Sequence, residues 1–154
     1  MSEVISLNGH VRVKAWEKQD DGSEKEVYNK IIKNLIVDVG KDSILRYLGN
    51  MSGSGYANEI GVGDSTTAAA AGQTDLQAST NKLWKNISVS NRVYVRPTLF
   101  TSVDFGYTEA NFTWNELGLR DSQGTPILWA RQIDATPLVK TSSKRAIVEW
   151  QLSL

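Results

Sequence analysis

Towards the end of the chain, apolar and polar positions alternate one for one. Ala146, Val148, Trp150 and Leu152 share one parity, and Glu149, Gln151 and Ser153 the other. This is the signature of a half-buried strand. Residues 111–154 read as three strands with tight connections, and Trp114, Trp129 and Trp150 each fall inside one of them. A last strand that runs to the final residues ties that end of the chain into a sheet. Near the other end, Val11, Val13 and Ala15 alternate with Arg12, Lys14 and Trp16, and a turn cluster with an Asp21-Gly22 step follows. The spacing predicts a hairpin of strands over 10–18 and 25–33. Short strands are expected at 57–62 and 83–89, and a long one over 92–105. In the long strand Val93, Val95, Leu99, Thr101, Val103 and Phe105 share a parity. Pro97 interrupts that segment, which calls for an edge position or a bulge.

One segment carries a helical pattern. Asp38 can cap a helix over 38–48, Ile44, Leu45 and Leu48 form a short apolar stripe, and Gly49 ends it. Gly40 weakens it, and a helix of about three turns must pack on a sheet to persist. Residues 50–55 form a Gly/Ser turn. Residues 63–74 are a low-complexity loop of small side chains, whose four alanines are hemmed in by Thr66-Thr67 and Gly72. Asp75 can cap a brief turn at 76–78. Neither an internal repeat nor a linker divides the chain. The expectation is one mainly β domain over 1–154, an antiparallel sandwich or barrel of about eight strands with one short helix packed on it.

Composition narrows the partners. Seventeen basic and seventeen acidic residues cancel, so charge gives no reason to expect nucleic acid or an anionic membrane surface. A chain of low net charge suits a component of an assembly. The absence of cysteine removes disulfides, zinc-thiolate sites and thiol catalysis. No apolar run approaches the roughly 18 residues of a membrane span. The first ten residues lack a signal-peptide pattern, so the three Asn-X-Ser/Thr tripeptides at 50–52, 86–88 and 111–113 are read as chance.

The search for chemistry yields little. His10 is the only histidine, at the start of a strand and expected to face solvent, so neither a catalytic triad nor a His-rich metal site can be built within one chain. Gly61-Val62-Gly63-Asp64 lacks the further residues of a phosphate loop and reads as a turn out of a strand. Asp20, Asp21, Glu24 and Glu26 crowd one hairpin tip, but Lys18 and Lys25 neutralise them and their spacing matches no calcium loop. Glu116 and Arg131 are the notable charges. They lie on consecutive strands, Glu116 on the face of Trp114 and Gly118, Arg131 on that of Trp129 and Ile127. A carboxylate on a buried face needs a partner, so a structural ion pair across the hairpin is expected. Trp114, Trp129 and Trp150 occupy positions proper to a core or a subunit interface. Trp16 and Trp84, with polar neighbours, are the candidates for exposed contacts. No catalytic residue, metal site or cofactor is expected.

Three segments together resemble a group of small bacteriophage virion proteins encoded among tail, baseplate and head-surface genes. The first is Asn34-Leu35-Ile36-Val37-Asp38-Val39-Gly40-Lys41 with Ile44-Leu45. The second is Ile60-Gly61-Val62-Gly63-Asp64-Ser65-Thr66-Thr67, followed by an Ala-rich loop and Thr74-Asp75-Leu76. The third is Ala110-Asn111-Phe112-Thr113-Trp114-Asn115-Glu116-Leu117-Gly118-Leu119 with Leu128-Trp129-Ala130-Arg131. Lys140-Thr141-Ser142 before the last strand matches the family's closing motif. The resemblance covers 34–154. It leaves the 10–33 hairpin as an added element that could serve in docking, and residues 68–73 depart from the family's spacing.

The resemblance implies a β-rich, non-enzymatic structural component that oligomerises on the particle, a trimer being one arrangement. The leading expectation is a tail- or baseplate-associated virion protein, assembled in the host bacterial cytoplasm, whose partners are its own copies and other virion proteins. The alternatives are a capsid decoration protein on the head and, in a different class, a carbohydrate-binding module using exposed tryptophans on a host glycan.

Overall fold

A computed structural model describes residues 6–51 and 55–153. The 50–55 turn and the first tripeptide, 50–52, therefore lie partly outside the described residues, as does half of the ten-residue N-terminal stretch read for a signal. The elements run β1 (Asn8–Lys18), β2 (Glu24–Lys33), β3 (Leu35–Ile36), α1 (Asp38–Leu48), β4 (Glu59–Gly63), β5 (Lys82–Asn86), β6 (Arg92–Val95), β7 (Thr98–Phe105), β8 (Thr113–Asp121), β9 (Ile127–Val139) and β10 (Lys144–Ser153). They form two five-stranded sheets ordered β2-β1-β10-β7-β6 and β3-β9-β8-β4-β5, antiparallel throughout. Each sheet keeps two free edges, so the fold is a sandwich and not a closed barrel.

The core lies between the sheets. Val11, Val13 and Ala15 of β1, Val103 and Phe105 of β7, and the Ala146–Leu152 alternation of β10 meet Ile60, Val62, Trp114, Leu117, Leu119 and Ala130 of the other sheet. Each large side chain buried there contributes about 1.5–3 kcal/mol. Phe105 and Trp114 join the layers edge to face, with ring centroids 5.0 Å apart, the geometry that the ring quadrupoles favour. Trp129 and Trp150 also belong to this core.

The expected N-terminal hairpin is present, and β1 belongs to the core, because it lies between β2 and β10 and buries Gly9, Val11, Val13 and Ala15. Three features differ from the sequence expectation. The 92–105 segment is two strands. Arg96-Pro97, joined by a cis peptide, forms the two-residue turn between β6 and β7. That reversal breaks the shared parity: Val93 now pairs with Phe100, away from the core, while Thr101, Val103 and Phe105 point inward. In α1, Val37 is the N-cap, and Asp38 instead pairs with Lys41 within the first turn. The helix packs through Gly40 and Ser43, leaving Leu45 and Leu48 exposed. Gly40 is needed for that contact, since a Cβ there would lie 2.3 Å from the carbonyl oxygen of Trp129. Finally, a bulge between Trp114 and Glu116 resets the alternation of β8. Trp114 points into the core while Glu116 points out of the sandwich.

Candidate functional site

The outer face of the second sheet is closed by the chain itself. β4 presents Gly61 and Gly63 outward, because Ile60 and Val62 face the core. Gly61 stands beside Gly118 on β8 and Trp84 on β5. The two glycines leave a trough in which the Trp84 indole lies; a Cβ on Gly61 would sit 2.5 Å from the ring, and one on Gly118 2.7 Å. The Arg120 guanidinium lies 4.1 Å from the ring centroid, itself held by Glu59 at 2.6 Å. Trp84, expected as an exposed contact, is thus half-buried and already partnered. The lysines around it reflect the edge position of β5, whereas its own face is set by strand alternation.

Glu116 and Arg131 meet on this same face, both fully buried. Arg131 donates from Nε to Glu116 Oε2 at 2.7 Å, and its Nη2 lies 2.7 Å from the same oxygen. The pair also holds the loop that crosses above it. Glu116 accepts from the backbone N–H of Gln77 at 2.9 Å and of Ala78 at 2.7 Å. Arg131 donates to the carbonyls of Thr67 and Ala68 and to Gln73 Oε1. Leu76 and Ala78 are buried under the same strap, and Asn115 fixes its start by donating to the Asp64 carbonyl at 2.7 Å. The 64–81 segment therefore has no helical turn and is shaped by an ion pair whose charges are satisfied by backbone groups. Among the described residues the pair's other partners are backbone groups and the Gln73 amide, with no second carboxylate among them.

Other polar groups likewise serve the frame. Buried Lys140 donates to the Gly106 carbonyl at 2.8 Å and to Asn111 Oδ1 at 2.9 Å, closing the 106–111 turn. Burial pulls its pKa below that of a free lysine. Asp134 of β9 accepts from Tyr28 and Lys30 of β2 and so bridges the sheets. These long-range partners have no local sequence signal. At the hairpin tip, Asp21 accepts from the Ser23 backbone and hydroxyl, an ordinary turn. Glu24 reaches Arg145. Among the described residues no group of three or more His, Cys, Asp or Glu side chains could hold a metal ion, and no helix is long and apolar enough to cross a membrane. His10 is exposed.

Open surface is found on the first sheet and at the sandwich margins. On the outer face of the first sheet, Arg12, Lys14 and Trp16 of β1 and Ile147 and Glu149 of β10 line a depression of about 210 Å³. Trp16 is half-buried, with the Arg145 guanidinium 4.6 Å from its ring centroid. At the sandwich margins, apolar side chains stand in solvent. The free edge β6 and the turn before it expose Val89, Val93, Tyr94 and Val95, with Tyr94 67% accessible. The far margin carries Leu45 and Leu48, 68% and 76% accessible, beside a groove lined by Leu7, Ile36 and Ile44. These margins are opposite, because β6 ends one sheet on the side of β5, whereas α1 packs on β9 beside β3.

Comparison of the chain with family models, with curated proteins and with solved structures finds no match in any of the three.

Proposed function

We propose that this chain is a non-enzymatic structural protein of a bacteriophage particle, placed at the tail or baseplate, which assembles with its own copies. The observation that carries the assembly is the pair of apolar margins. An edge strand exposing valines and a tyrosine offers unpaired backbone groups and apolar surface to a second chain. A helix that turns Leu45 and Leu48 outward is likewise incomplete alone. The polar network favours a shape-holding role, since its buried charges bind backbone and leave none convergent on a cleft. The placement on a phage particle rests on the resemblance of residues 34–154.

The test has two parts. Sedimentation of the purified chain should give a mass that is a multiple of the 17.0 kDa protomer; a monomer at all concentrations removes the assembly. Labelled antibody imaging of intact particles should place the chain on the tail. Labelling over the head surface would replace that placement by capsid decoration, and unlabelled particles would remove both.

A further inference from the structure

The depression on the outer face of the first sheet has the composition of a ligand site and no part in the assembly margins. β1 presents Arg12, Lys14 and Trp16 on one face at successive even positions, and β10 places Glu149 opposite Arg12 and Ile147 opposite Lys14. Two cations and one carboxylate share the space, a local excess of positive charge in a chain of zero net charge. Among the described residues neither Arg12 nor Lys14 has a side-chain hydrogen bond or ion pair, and Arg12 Nε is shielded from water without a partner. The neighbouring Arg145, by contrast, is matched. Arg145 holds Glu24 through both carboxylate oxygens at 2.8–3.0 Å and reaches Asp104 at 3.2 Å. That fixed guanidinium stacks on Trp16 and orients the indole before any ligand arrives.

We infer that this depression binds the carboxylate-bearing ring of an acidic sugar. An indole wall and the Ile147 side chain suit the apolar face of a pyranose. A planar guanidinium with free donors matches a carboxylate, and the Lys14 ammonium adds a second positive contact. Glu149, whose Oε1 accepts from Gln151 at 2.8 Å, keeps Oε2 to accept from a ring hydroxyl. The volume is below the roughly 300 Å³ at which pockets for drug-sized ligands begin, which limits the site to one sugar unit of a longer chain. The inference is independent of where the protein sits on a particle, and monomer and oligomer present the same face.

The experiment titrates the full chain with a glucuronate oligosaccharide and with the neutral glucose oligosaccharide of equal length, following tryptophan emission and amide NMR shifts. The acidic ligand should bind, with shifts centred on β1 and β10, and the neutral one should bind at least about tenfold more weakly, one unpaired charge contact being worth that much. Arg12→Gln with Lys14→Gln should abolish the difference, and Trp16→Ala should weaken both ligands. Because all three side chains face outward, an unchanged thermal midpoint in each variant shows that the fold is intact. Equal binding of the two sugars, binding that survives the variants, or no shift at millimolar acidic sugar would overturn the inference. Displacement by inorganic phosphate at matched concentration would do the same, by reducing the site to a bare anion contact.

Discussion

Glu116 and Arg131 show how a few side chains can shape a loop that has no regular structure. Both are fully buried, and their remaining hydrogen-bonding capacity goes to residues 67–78. Removing one partner leaves the other charge uncompensated, which typically costs about 3–5 kcal/mol. Glu116→Leu should therefore lower the urea midpoint strongly and open 64–81 to proteolysis. Glu116→Leu with Arg131→Met should recover part of the loss, because no naked charge remains. Recovery should stay incomplete, because the N–H groups of Gln77 and Ala78 would still lack an acceptor. A double-mutant cycle measures the coupling; simple additivity would mean that the two residues act separately. The pairing was legible in the sequence because two opposite charges fall on consecutive strands. Their face was not, because the bulge after Trp114 shifts the parity. Most of the loop contacts were also invisible, because backbone donors and acceptors carry no residue-type signal.

At the scale of elements, the alternation of β1 and β10 and the boundaries of α1 could be read directly, while the parity of β8 and the 92–105 segment could not. A proline within an alternating run is compatible with either an interruption or a reversal. Only the pairing of Val95 with Thr98 decides for the turn. The setting of Trp84 is hidden from the sequence for a related reason: flanking lysines mark an edge strand, yet its indole is seated by Gly61 and Gly118 on two neighbouring strands. The β1–β2 hairpin illustrates coupling between elements. Glu24 at its tip holds Arg145 of β10 and accepts from the Tyr107 hydroxyl. These contacts, the Arg145 hydrogen bonds foremost, lower the Glu24 pKa from 4.5 to about 2. A carboxylate with a lowered folded pKa stabilises the fold fully above the unfolded value and loses that contribution as pH falls through the folded one. The tip should therefore stay anchored at pH 4.5 and release only as pH approaches about 2. A carboxyl carbon NMR titration reads this directly. A Glu24 midpoint near 4.5 would mean that the Arg145 contact does not persist in solution.

For the whole molecule, the decisive geometry is that its two apolar margins differ in shape and lie on opposite sides of the sandwich. Two unlike surfaces on opposite sides favour a head-to-tail contact, which closes into a ring or extends as a filament, over a self-complementary one. β6 offers a projecting edge, and the α1 margin offers a groove between the helix, Leu7 and Ile36. In the proposed assembly each protomer inserts its β6 edge beside α1 of the next. Lysine on an edge strand is a natural deterrent to pairing, so Val95→Lys should dissociate the oligomer. Leu48→Lys should do the same from the other side. Both positions are exposed, so the monomer's own stability should change by no more than about 0.5 kcal/mol. Mixing the two variants then separates the arrangements. Val95→Lys keeps its α1 groove and Leu48→Lys keeps its β6 edge, so a head-to-tail contact permits one intact junction and the mixture should sediment as a dimer. A self-complementary β6 contact predicts otherwise: Leu48→Lys would remain associated alone, and the mixture would contain no dimer joining the two variants.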